Sequence, residues 1–306
     1  MSERLVRVGR WGFGFLIFAF VIRSFSHNWQ ALRDQPIEWT FHPAPALGSV
    51  ATVWLMYAML IEAWRRMLAG WGERLPPMQA ARIWVLSSLG KYVPGKVWAV
   101  AGMALMAREA GVAAWAATAS AIILQALAVG TGAGVAALFG TAVLQARKPE
   151  LVPLLWLAGA VAMGGVGLLL FPPVVRRVLA LARLGTETPS PRAGPVLLGV
   201  VANVIAWLGY GTALWLLATA VLPVNRLTLG PAIAAFAASY IAGLLALFAP
   251  GGLFIREGLL VLMLQDSIGL GAATALAIAS RVLLTITELG AAVPFLLMRR
   301  SGTRVH

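Results

Sequence analysis

Long apolar runs, close to the length needed to cross a bilayer, recur along this sequence, and the segments between them hold most of its charge. About 20 apolar residues in a helix span the roughly 30 Å of bilayer hydrocarbon, and a spanning segment must satisfy its own backbone hydrogen bonds. The expected fold is therefore an all-α polytopic integral membrane protein. Six full spans are expected, at residues 11–22 (extendable at both ends), 44–67, 112–144, 151–171, 195–222 and 271–298. Composition agrees, with 60% of the 306 residues hydrophobic, 11% charged and a mean hydropathy of +0.85.

Two stretches interrupt this scheme. Residues 78–93 and 96–107 would form helices of about 24 and 18 Å at a rise of 1.5 Å per residue. Neither comfortably crosses the hydrocarbon, and Pro94-Gly95 joins them. Downstream, residues 231–249 and a short arm ending at Leu264 flank Pro250-Gly251-Gly252. Short arms joined at Pro-Gly suggest two re-entrant hairpins, whose non-helical tips are tolerated at depth when buried in protein or lining a wet cavity. For the first stretch an interfacial amphipathic helix kinked at Pro94 remains the alternative.

The formal net charge is +13, yet the basic residues cluster beside apolar runs, which points to an anionic membrane surface and away from nucleic acid. Arg4, Arg7, Arg10, Arg65, Arg66, Arg74, Arg82, Arg176, Arg177, Arg183, Arg192, Arg299, Arg300 and Arg304 fall on one side of this topology, and Arg33, Arg147, Lys148 and Arg226 on the other. By the positive-inside rule the first side is the cytoplasm, so both termini are expected there, in a cell inner membrane. The N-terminal arginines and apolar run lack a small-residue cleavage site and read as a retained first span. There are no cysteines, and His27, His42 and His306 lie outside the apolar runs, so no disulfide, metal site or cofactor is expected. Glu62 is expected to pair with Arg65 and Arg66 at helical spacing. Asn203, Gln125 and Gln265 are candidate interhelical hydrogen bonders, and Trp71, Trp84, Trp98 and Trp115 suit an interfacial belt.

Residues 1–306 read as one transmembrane domain holding two similar units, about 43–145 and 195–298. Pro94-Gly95 aligns with Pro250-Gly251 and Gly102 with Gly258 at one offset; Ser120 and Gly130 fall opposite Ser280 and Gly290 at a slightly larger one. The single span between the units would make them an inverted repeat, an arrangement in which broken helices meet near the midplane of many transporters.

Ionisable residues within the membrane are costly and usually functional. Here they are Lys91 and Lys96 at the first tip, Arg256 and Glu257 after the second, and Arg281 and Glu288 in the last span. Each second arm starts a helix just after Pro-Gly, which turns free N–H groups and the positive dipole end toward the tip. The candidate substrate-binding set is Lys91, Pro94, Gly95, Lys96, Pro250, Gly251, Gly252, Arg256, Glu257, Arg281 and Glu288, and the favoured ligand is an anionic head group. The competing reading is that Arg256 pairs with Glu288, and Arg281 with Glu257, only to neutralise buried charge.

Gly90-Lys91-Tyr92-Val93-Pro94-Gly95-Lys96-Val97-Trp98 and Pro250-Gly251-Gly252-Leu253-Phe254-Ile255-Arg256-Glu257-Gly258 together resemble the YbhN-like, flippase-like membrane family that includes the transmembrane part of lysylphosphatidylglycerol synthases. In the family's second motif Gly is usual where this chain has Phe254. The resemblance implies movement of an anionic or aminoacylated phospholipid, or a polyprenyl-linked lipid, between leaflets. It also implies that lipid aminoacylation belongs to a separate soluble domain, so that activity is not expected of this chain.

The expected function is accordingly a lipid translocase without enzymatic activity. A secondary transporter of a small organic or inorganic anion is the alternative. A membrane enzyme acting on lipid phosphates is disfavoured by the scarcity of nucleophiles, Asp34 and Asp266 being the only aspartates. The membrane lipid is the expected partner, and the sequence leaves a homo-oligomer open.

Overall fold

The computed structural model describes residues 40–92, 97–181, 193–224, 226–246 and 249–297. The first expected span, at residues 11–22, lies outside them. The described residues form helices without strands: α1 (Pro43–Ala69), α2 (Pro77–Ser88), α3 (Val97–Glu109), α4 (Ala114–Arg147), α5 (Val152–Leu168), α6 (Pro172–Leu181), α7 (Ala193–Val221), α8 (Leu229–Leu245), α9 (Ile255–Ile268) and α10 (Leu270–Leu297). Among them α1, α4, α5, α7 and α10 are long and apolar enough to cross a bilayer. The chain is thus a multi-pass helical membrane protein, and these five helices lie where the apolar runs place them.

Local chemistry explains the boundaries. Proline stands at the first positions of α1, α2 and α6, where its missing N–H costs nothing and its fixed φ suits the helix. Gly72, Gly111 and Gly269 take φ of +85°, +84° and +84° just past α1, α3 and α9, a left-handed turn that a residue with a Cβ resists. Directly after the apolar run at 151–171, Pro172-Pro173 starts α6, with Val175 buried and Arg176 and Arg177 exposed. Proline stops the preceding helix but, at N1, is equally suited to begin the next.

The two halves of the fold share one succession of elements. A long helix, a short helix, a 3-10 turn, a short helix and a long helix occur as α1, α2, Leu89–Tyr92, α3, α4 and again as α7, α8, Pro250–Gly252, α9, α10. Their packing corresponds too: α1 packs on α7, α2 on α10 as α8 does on α4, and α3 on α4 as α9 does on α10. The α1–α7 pair is antiparallel. The Thr40 and His42 N–H groups reach Val221 and Ala220, Ser49 Oγ donates to the Ala213 carbonyl at 2.7 Å, Gly209 meets Met56, and Gly70 meets Pro195. The individual matches read from sequence correspond less well. Ser120 accepts from Trp64 Nε1 and Ser280 from Arg256, while Gly102 faces Ser87 and Gly258 faces nothing within 4 Å.

Helix contact in lipid depends on close backbone approach rather than on hydrophobic drive. A Cβ on Gly211 would sit 2.4 Å from the Ile233 Cα, so α7 and α8 meet through that glycine. Buried apolar residues gather in two clusters, one around α7, α8 and α10, the other joining the ends of α1, α4 and α6 to the start of α7 through Trp64, Leu68, Ala116, Val175 and Val196. That second cluster sets Arg65 and Arg66 at the same end of the bundle as Arg176 and Arg177. α5 leans on α4 and turns most of its apolar surface outward, as a lipid-facing helix does.

Candidate functional site

The turn that precedes the first Pro-Gly and the turn that holds the second touch each other. α2 tightens into the 3-10 turn Leu89–Tyr92, which places Lys91 and Tyr92 side by side. In the other half Gly251, Gly252 and Phe254 take φ of +57°, +69° and +67°, reversing the chain before α9. Gly251 lies against the Tyr92 ring, and Gly252 lies backbone to backbone with Gly243 of α8. At the start of α9 the Glu257 carboxylate accepts the Phe254 N–H at 2.7 Å. The Phe254 N–H, at the N-cap of α9, is therefore already taken. Pro250 belongs to the turn itself. Pro94, Gly95 and Lys96 lie outside the described residues.

Four charges converge on the tips. Glu288, 8% exposed, accepts from the Lys91 ammonium, from Tyr92 Oη at 2.7 Å and from Tyr57 Oη at 3.3 Å. Arg281 donates to the Gly251 carbonyl at 2.8 Å and reaches Glu257 at 3.4 Å, with its guanidinium 6.0 Å from the Tyr92 ring centre. Arg256, only 6% exposed, donates to Ser280 Oγ at 3.1 Å and lies over the Phe236 and Tyr240 rings at 5.0 and 5.3 Å. Cation–π contact of this kind stabilises a desolvated guanidinium without cancelling its charge. Of the two neutralising pairs expected, Arg281 with Glu257 forms, whereas Arg256 with Glu288 does not, because Lys91 from the other half reaches Glu288. Among the described residues no carboxylate comes within salt-bridge distance of Arg256.

These side chains line a cavity of about 320 Å³ between the two halves. Lys91, Gly251, Gly252, Arg256, Arg281 and Glu288 are all in its wall, and Glu257 stands behind Arg281. The wall continues into an apolar part that includes Val100, Met103, Leu124 and Trp84. Trp84 is thus a cavity residue, its ring tilted at 52° to that of Trp64 with centres 5.9 Å apart, rather than a belt residue. Trp98, by contrast, is exposed. Asn203 and Gln125 also line the cavity, and Asn203 Nδ2 bonds the Gly199 carbonyl of its own helix instead of a neighbouring one. Glu62 pairs with Arg65 and Arg66, each at 2.7 Å, as expected.

All four tyrosines of the chain, Tyr57, Tyr92, Tyr210 and Tyr240, face this cavity, and none was singled out from sequence as a site residue. Tyr57, Tyr210 and Tyr240 form an aromatic cluster with Phe236 and Trp207, in which Tyr210, Phe236 and Tyr240 stack in series. A signal was present: Tyr57 and Tyr210 fall well inside long apolar runs, away from the interfaces that tyrosine favours. Chemically the site offers three cations, one carboxylate, tyrosine hydroxyls and an adjoining apolar surface. Among the described residues no group of three or more His, Cys, Asp or Glu is placed to hold a metal. Comparison with protein-family models finds no match for this chain, and comparison with curated proteins finds none either.

Proposed function

We propose that this chain is a lipid translocase of the flippase-like kind, passing an anionic or aminoacylated phospholipid, or a polyprenyl-linked lipid, between leaflets. One observation carries the reading: Arg256, buried and without a carboxylate partner among the described residues, opens onto a cavity that is cationic at the tips and apolar beyond them. A phosphate fits the first part and the start of an acyl chain the second. Charge-assisted hydrogen bonds from guanidinium to phosphate are stronger than neutral ones and fix orientation. No chemical step is involved in this reading.

The architecture proposed with it is an inverted repeat, residues 43–145 and 195–298, whose two hairpins are re-entrant and enter from opposite faces. Its support is the corresponding packing of the halves, the antiparallel α1–α7 pair, and short arms of about 18 and 20 Å for α2 and α3. The same proposal puts the protein in the inner membrane with both termini cytoplasmic; what supports it is the basic bias of the sequence and the shared end of Arg65, Arg66, Arg176 and Arg177.

The test is lipid scrambling in reconstituted vesicles. Arg256→Gln and Lys96→Gln are expected to abolish exchange of a fluorescent phosphatidylglycerol while the protein stays monodisperse. Unchanged exchange in both variants would sink the assignment. The small-anion reading uses the same cations and is separated by cargo: flux of dimethyl phosphate without exchange of the acylated lipid would favour it.

A further inference from the structure

The cavity wall holds polar groups that the charge network does not use. The Tyr57 and Tyr92 hydroxyls are spent on Glu288. The Tyr210 and Tyr240 hydroxyls line the same cavity and make no hydrogen bond among the described residues. Asn203, only 5% exposed, donates from Nδ2 to the Gly199 carbonyl at 2.8 Å. That acceptor fixes the orientation of the amide and leaves Oδ1, which also has no partner among the described residues. Asn203, Trp207 and Tyr210 stand at i, i+4 and i+7 along α7 and all line the cavity, so they form one stripe of that helix. Polar groups held away from water without partners are costly and uncommon, and these converge on one space.

The same wall is hostile to a positively charged group. Among the described residues Lys91, Arg256 and Arg281 face Glu288, with Glu257 behind Arg281. Both carboxylates are taken, Glu288 by Lys91 and two tyrosines, Glu257 by Arg281 and the Phe254 N–H. An aromatic face is the other way to hold an ammonium. Here Arg256 already lies over Phe236 and Tyr240, and Lys91 and Arg281 lie by Tyr92.

We propose that the head group carried here is neutral apart from its phosphate and bears hydroxyls, as a polyol or a sugar does, and that an ammonium-bearing head group is excluded. This narrows the anion-binding reading given above, on which it rests: of the lipid classes named there, the aminoacylated one drops out. The phosphate meets the cations at the tips. The hydroxyls beyond it donate to Asn203 Oδ1 and exchange hydrogen bonds with the Tyr210 and Tyr240 hydroxyls. A hydroxyl both donates and accepts, which suits two phenols and a carbonyl oxygen together.

The experiment is transbilayer exchange of fluorescent lipids by the full chain in phosphatidylcholine vesicles. Phosphatidylglycerol is compared with phosphatidylpropanol, which has the same charge and carbon count without the hydroxyls. Phosphatidylethanolamine and lysylphosphatidylglycerol supply the ammonium. A second pair, citronellyl phosphoglucose and citronellyl propyl phosphate, poses the same question for a sugar on a prenyl chain. Within a pair the hydroxylated member is expected to exchange about tenfold faster. The two ammonium lipids are expected to exchange no faster than in protein-free vesicles. Tyr210→Phe with Tyr240→Phe removes both hydroxyls, keeps the rings and should abolish the preference. The comparison within each pair stands on the unaltered protein whether or not that variant folds. Preference in the first pair supports the proposal and assigns a polyol phospholipid; preference in the second supports it and assigns a prenyl-linked sugar. Equal rates within both pairs, a preference that survives the double substitution, or exchange of an ammonium lipid as fast as phosphatidylglycerol overturns the proposal and leaves the anion site standing. No protein-dependent exchange of any phosphodiester overturns both.

Discussion

Phe254 holds φ at +67° and ψ at −36°, and it is the only non-glycine among the described residues with a positive φ. Such a conformation costs about 1–3 kcal/mol for a residue with a Cβ. It is also the position where the family that the motif resembles usually has Gly, so the departure visible in sequence coincides with local strain. Phe254→Gly removes the strain and adds about 0.5–1 kcal/mol of unfolded-state freedom against it. The expected result is a net stabilisation of about 1 kcal/mol, seen as a higher unfolding midpoint in detergent; a lower midpoint would mean that packing of the ring outweighs the backbone. The ionic residues of the site were readable from sequence because charge inside an apolar run stands out. The tyrosines were less so: the depth of Tyr57 and Tyr210 in apolar runs was a signal, but nothing within a segment says that the four meet at one cavity.

Each hairpin is held shut by glycine at a different place. In the first, a Cβ on Gly90 would lie 2.7 Å from the Ala99 nitrogen and 2.8 Å from the Trp98 carbonyl carbon, so the 3-10 turn rests directly on the backbone of α3. Gly90→Ala must part the arms. It is expected to destabilise by about 1–3 kcal/mol and to slow lipid exchange, measured by thermal unfolding and scrambling on the same sample. In the second, a Cβ on Gly252 would lie 2.8 Å from the Gly243 Cα, and one on Gly243 would be tight at 3.2 Å from Arg256 Cβ. At the other end of the first half, Trp64 Nε1 donates to the buried Ser120 hydroxyl at 2.8 Å. Ser120→Ala would leave that indole N–H unpaired, at a cost of about 1–3 kcal/mol. The arms were legible as helices because Pro-Gly bounds them. Their mutual contact was not, since a glycine in sequence does not say which backbone it admits. The start of α6 was not legible for a related reason: a Pro pair ends one helix and starts another by the same loss of an N–H.

For the molecule as a whole, the correspondence lies between elements rather than residues. Lengths, order and partners of α1–α4 recur in α7–α10, while Gly102 and Gly258, aligned by sequence, have unlike surroundings. Antiparallel packing of α1 on α7 brings the end of one beside the start of the other, so the exposed Val224 and the exposed Arg66 and Arg177 occupy opposite ends of the bundle. The absence of cysteine makes this directly measurable. Arg66→Cys and Arg177→Cys are expected to react with an impermeant maleimide only in inside-out vesicles, and Val224→Cys only in right-side-out ones. Labelling of all three from one side would overturn the orientation.

The sequence alone determined that the chain crosses a membrane, roughly where its long helices start and stop, and which charges stand at its two Pro-Gly tips. Those properties follow from hydrophobic length and local backbone chemistry, which act within a segment. Only the tertiary structure decided the pairing of the charges. Lys91 reaches Glu288 across nearly two hundred residues, and Arg256 is left to aromatic faces and a serine. That outcome depends on which helix faces meet, and in lipid those faces are selected by close packing of small residues, a property of pairs of segments rather than of either one.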